Sequence, residues 1–278
     1  MPLSKRFLLF LLACSATAAL AIQETITLKD RAGNLTITNF GEFGSVIDGS
    51  AIRFTMKGKT GAGPIRAEWS ENRLTVLTGE MSGIASRNSD RTLSLVSADM
   101  SRSVRATMTA PSAGSAGTAQ TSVLVADSAD YTAQDSRMNL RGGVSVVNED
   151  PGVGQRIALQ GRSAVVTVLP LGQAPAPGQL LVKTADVAGP STIELTTRQA
   201  DGTSTRIHAT ADRVVFNDSD RTIKLIGNVT ITGNDPALIG DVKGLTSATI
   251  TLSPDRKPKG ISMQGNPATT TIRGGGQP

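Results

Sequence analysis

Ala211-Asp212-Arg213-Val214-Val215-Phe216, followed by Leu225-Ile226-Gly227-Asn228-Val229-Thr230-Ile231, is the stretch that decides the fold. Ile223, Leu225, Val229 and Ile231 share one parity around Gly227, while Lys224, Asn228 and Thr230 take the other. Period-two spacing is the pattern of a strand with one face buried and one face wet. The glycine inside the run predicts a bulge or bend that lets a sheet curl.

The phrase recurs. Ala129-Asp130-Tyr131 leads to Leu140-Arg141-Gly142-Gly143-Val144-Ser145, and Ala67-Glu68-Trp69 leads to Leu77-Thr78-Gly79-Glu80-Met81-Ser82. Each copy resumes at a Ser-Ala pair: Ser97-Ala98, Ser163-Ala164 and Ser247-Ala248. A partial first copy precedes them at Leu35-Thr36-Ile37-Thr38 and Ser50-Ala51-Ile52-Arg53-Phe54. Self-similarity of this kind marks a fold made by stacking one supersecondary unit on the next. With turn signals such as Asn148-Glu149-Asp150-Pro151-Gly152 and Asp201-Gly202 between the runs, the expectation is an all-β fold.

Residues 1–21 carry the anatomy of an export signal. Lys5 and Arg6 form the basic start, Phe7 to Ala13 the apolar core, and Ala19-Leu20-Ala21 a small-x-small site with cleavage after Ala21. Leu11-Leu12-Ala13-Cys14 also resembles a lipoprotein box, which would lipidate Cys14. Both readings send the chain out of the cytoplasm. Cys14 is the single cysteine, so the remainder is held by its apolar core and not by disulfides. The formal charge of +5 loses Lys5 and Arg6 with the signal, leaving 26 basic against 23 acidic residues, or +3. That balance is too mild and too scattered for nucleic acid. Residues 111–121 and 170–179 read as loops or sub-boundaries within repeats that span 22–273, and 274–278 as a disordered tail.

Catalytic and cofactor signatures are weak. His208 is the one histidine and cannot make a zinc site without other ligands. Glu68, Asp130 and Asp212 recur once per unit, as a structural device does, whereas an active site occurs once. Gly142-Gly143 and Gly274-Gly275-Gly276 lack nucleotide-fingerprint spacing, so no cofactor is expected. Trp69 and Tyr131 hold equivalent places in two copies, and Arg213 in the third predicts a position near the surface. Arg256-Lys257-Pro258-Lys259 reads as a solvated turn, with phosphate contact as the sharper alternative.

The succession Ala-acidic, Leu-x-Gly-x-Val and Ser-Ala, closed by Met263-Gln264-Gly265-Asn266-Pro267-Ala268, resembles the OstA/LptA-like family of the Gram-negative envelope. The resemblance implies a periplasmic, open, twisted β-jellyroll, either one roll or two in tandem. It also implies a non-enzymatic role in lipopolysaccharide transport or outer-membrane assembly. Partners would be lipopolysaccharide or another acyl lipid, and envelope transport proteins or a second copy joined by edge-strand pairing. On that reading the lipid-facing candidates are Met138, Leu140, Val144 and Val146, with Ile223, Leu225, Val229 and Ile231. The competing class is a structural envelope protein whose repeats make only protein contacts. A β-solenoid carbohydrate enzyme is a third class and would need a carboxylate cluster on one face.

Overall fold

The computed structural model describes residues 25–272 apart from 31–32, 62, 71–72, 90–91, 113, 115–116, 171–175, 177–178, 181, 200, 237 and 266–268. The export signal, Ala21, Cys14 and the tail lie outside the described residues. Among the described residues every regular element is a strand. Short strands come first: β1 (Thr25–Asp30), β2 (Gly33–Thr38), β3 (Phe40–Asp48), β4 (Ala51–Gly58), β5 (Ile65–Trp69), β6 (Leu74–Thr78) and β7 (Glu80–Arg87). Long ones follow: β8 (Leu93–Pro111), β9 (Ala119–Thr132), β10 (Arg137–Asp150), β11 (Gln155–Val168), β12 (Val182–Arg198), β13 (Ser204–Asn217), β14 (Thr222–Asp235) and β15 (Leu238–Leu252). β16 (Pro258–Gln264) and β17 (Thr269–Ile272) close the order.

All 17 strands of the described residues belong to one open antiparallel sheet, consistent with an open β-jellyroll. From β8 to β15 each strand pairs with its sequence neighbours. β8 explains the shorter strands before it. Its first half pairs with β7 and its second half with β6, while its other edge pairs with β9 throughout. β6 and β7 are therefore two halves of one strand broken at Gly79. β4 with β5, and β2 with β3, are broken in the same way. At the other end, β15 pairs with β16 through one half and β17 through the other.

The breaks line up across the sheet. Register shifts fall between Ser101 and Val104, Arg141 and Val144, Gln160 and Ser163, Ala188 and Ser191, Thr210 and Arg213, and Ile226 and Val229. Backbone bonds from Gly58 N to Gly79 O (2.8 Å) and from Gly79 N to Arg102 O (3.1 Å) carry the line through the broken strands. The result is a crease. Each of β8 to β15 lies in one layer on one side of it and in the facing layer on the other, and the inner side chains of both layers form one core.

The bend requires left-handed backbone, which glycine tolerates best. Gly227 has φ +75°, and a Cβ there would lie 2.3 Å from Oδ2 of Asp212. Gly142 has the same φ, and its Cβ would lie 2.2 Å from Oδ2 of Asp127. Two residues are consumed at each corner, so parity survives it. Ile223, Leu225, Val229 and Ile231 are all buried, and Lys224 and Asn228 face water.

The register also revises the repeat. Arg141 and Ser163 share a cross-strand row with Ala188 and Arg213, and Ile226 and Ser247 extend it. The second and third glycine phrases and Ser-Ala pairs are thus equivalent. The partner of Ala211-Asp212 is Ala126-Asp127, not Ala129-Asp130, whose counterpart is Val214-Val215. The first copy runs across the crease in the opposite direction, so Gly79 sits at a corner approached from the other layer.

Candidate functional site

The interior between the layers is the one place where the sequence concentrates a distinct chemistry. Its walls are aliphatic and aromatic from the crease outward. All eight lipid-facing candidates point into it: Met138 is 5 % exposed, Leu140 1 %, Val144 2 %, Val146 1 %, and Ile223, Leu225, Val229 and Ile231 0 %. Of the eight, only Met138 lines an open space within the interior. That space is an apolar cavity of about 30 Å³ between the layers, lined by Leu35, Ile37, Trp69, Met81, Met100, Met108, Tyr131 and neighbours. It has room for one or two waters and none for an acyl chain as it stands. The other seven candidates are packed against side chains.

Sequence reasoning placed Trp69 and Tyr131 near the surface. Both are 6 % exposed and belong to the core. The error came from pairing them with Arg213, which the register places opposite Ala188 at the crease, whereas Phe216 is the inward counterpart of Tyr131. The signal that would have found the cavity is the methionine distribution. Met56, Met81, Met100, Met108 and Met138 are all buried, and all precede Leu140.

The far margin of the second layer turns polar on its inner face. Gln120, Asp150, Gln155 and Thr197 form a cross-strand row there and are buried. Ser112 Oγ donates to Asp150 Oδ1, Ser122 donates to Asn148, and Thr205 Oγ1 donates to Asp235 Oδ2 (2.6 Å). Two bonds reach across the mouth to the other layer's turns. Gln120 Nε2 donates to the Gln179 carbonyl, and Gln155 Nε2 to the Arg256 carbonyl. Arg256 itself is held by Asp218 at 2.8 Å with both side chains largely covered, so the basic turn is a structural brace and this arginine is not held out for phosphate.

The recurring acids are held in pairs on the outer face. Arg66 donates to Glu68 at 2.6 Å, Arg141 pairs with Asp130, and Asn228 donates to Asp212 at 2.8 Å. The hydrogen bond from Arg66 holds the Glu68 carboxyl below its usual range, and the bond to Asp186 raises Arg213 above its own. Such exposed pairs contribute about 0–1 kcal/mol each. Arg141, Asp186 and Arg213 also border an open depression outside the roll, where both guanidiniums are already engaged. His208 is half-buried on the outer face of β13, opposite Glu194 in the register. Among the described residues no group of three or more His, Cys, Asp or Glu is placed to hold a metal ion.

Residues 177–243 match the family model described as LptA/(LptD N-terminal domain) LPS transport protein. The matched segment covers β12, β13 and β14 and enters β15, and it agrees with the family that the repeat resembles. A search of the curated proteins finds no match for the chain.

Proposed function

We propose that this chain is a periplasmic, non-enzymatic carrier that shelters the acyl chains of lipopolysaccharide or a related lipid on the way to the outer membrane. The observation that carries the reading is the creased sheet whose two layers enclose a continuous apolar interior. The family match over 177–243 supports it independently. Each methylene moved from water into such an interior contributes about 0.8 kcal/mol, so an acyl chain needs no elaborate polar site. Because the interior is nearly filled without lipid, loading requires the layers to part at their mouth.

Edge pairing is the second half of the proposal. Among the described residues β3 pairs only with β4, and every residue of β3 after Phe40 is exposed. Its open edge carries Phe43, Val46 and Ile47 at 46 %, 65 % and 59 % exposure. Such an edge accepts a further strand from an envelope partner or a second copy.

The test is lipid mass spectrometry on the full-length protein purified from an envelope fraction. Acyl lipid released on denaturation, and displaced by added lipopolysaccharide, is the expected result. A second reading, an envelope protein making protein contacts alone, is favoured by the filled interior. Protein free of lipid that also fails to bind added lipopolysaccharide would establish it and reject the carrier.

A further inference from the structure

The two halves of the interior are built from different side chains. Methionines 81, 100, 108 and 138 surround the apolar cavity, and the lining also includes Trp69 from β5. Beyond β11 the buried core is Ile, Val, Leu, Ala and one Phe, and Met263, the methionine there, is only partly buried against it. Methionine is unbranched, with three rotatable bonds, and repacks around changing shapes. Val and Ile are stiff at χ1. Three residues that line the cavity, Trp69, Leu95 and Tyr131, keep 6–8 % exposure, while residues of 0 % such as Ile37 and Ile223 occur in both halves.

A third observation concerns a donor. The Nε1 of Trp69 is buried and has no hydrogen-bond partner. A buried indole N–H ordinarily finds one, and leaving it unmade is costly. Trp69 thus combines a wall of the apolar cavity with an unused donor, which matches a hydrocarbon chain that ends in a carbonyl.

We infer that the roll has two compartments: an expandable chamber between β2 and β11 that takes one acyl chain, its ester, amide or carboxyl oxygen accepting from Trp69 Nε1, and a permanent core from β12 onward. The inference rests on the carrier reading above. It places the ligand outside the segment 177–243 that matches the family model. The four candidates on β14, Ile223, Leu225, Val229 and Ile231, then serve to hold the sheet together.

Trp69 is the only tryptophan of the chain, which makes the test direct. The full-length protein is mixed with a lysophospholipid bearing a dibrominated stearoyl chain, or with its unbrominated parent, and retention of each probe is followed by gel filtration. The expected result is retention of both, with loss of most Trp69 emission for the brominated probe only. Equal emission with both retained probes overturns the chamber and leaves the carrier reading standing. If neither probe is retained and no native acyl lipid is found, the carrier reading falls and takes the chamber with it. Ala98→Leu, which fills the cavity from β8, is expected to abolish retention without lowering the melting temperature. Undiminished quenching in that folded variant overturns the chamber.

Discussion

At Gly227, as at Gly142, two requirements coincide: a left-handed φ and no room for a Cβ, here beside Asp212. Gly227→Ala is expected to lower stability by about 1–3 kcal/mol, seen as a lower urea midpoint. Gly49→Ala isolates the backbone term, since φ is +59° there with nothing within 4 Å of the new Cβ, and is expected to cost about 1 kcal/mol. Equal effects at the two positions would show that the Asp212 contact does not matter. The two compartments differ at this scale as well. Phe216→Ala should cost about 3–5 kcal/mol in a fully enclosed site, and Met100→Leu under about 1.5 kcal/mol. Chemical unfolding of both variants checks the ordering.

At the scale of the element, β3 pairs on one side only among the described residues, as do β1, β16 and β17, and it is the one of these that carries large exposed apolar side chains. Replacing Val46 and Ile47 together by Lys places charge on that edge without touching the core, a device by which natural sheets discourage pairing. The expected outcome is an unchanged melting temperature and reduced self-association in sedimentation velocity. Association that survives both lysines would move the contact to another edge. The strands themselves were legible in the sequence, since alternation such as that of Ile223, Leu225, Val229 and Ile231 fixes which face is buried. Corners were legible only where glycine marks them. In β8 the bend is made by Arg102 and Ser103, both with positive φ (61° and 68°), and residues of ordinary type do not advertise such a turn. Strand direction was not legible at all. A phrase as short as Leu77-Thr78-Gly79 reads the same whichever way it crosses the corner, so the first copy looked equivalent to the others. Within the candidate site, Met138 followed from parity, whereas Trp69 and Tyr131 needed the register that sets Phe216 opposite Ala185 and not at the surface.

For the molecule as a whole, a plastic half joined to a stiff one predicts uneven opening. Backbone amides of β5 to β8 should exchange with solvent faster than those of β12 to β14, although both sets are bonded in the same sheet. Hydrogen exchange followed by mass spectrometry reads this directly, and uniform protection across the roll would count against the division. The crease has a mechanical consequence of its own. Because β8 to β15 each continue from one layer into the other, the walls behave like the covers of a book bound along one spine. They cannot slide past one another, and the motion left to them is rotation about the binding. A half-strand such as 144–150 is roughly 23 Å long at about 3.3 Å per residue, so a rotation of about 10° lifts its free margin by about 4 Å. A small angle at the spine thus becomes, at the margin, a gap of about one hydrocarbon chain's width, and the glutamine bridges at Gln120 and Gln155 act where that leverage is longest.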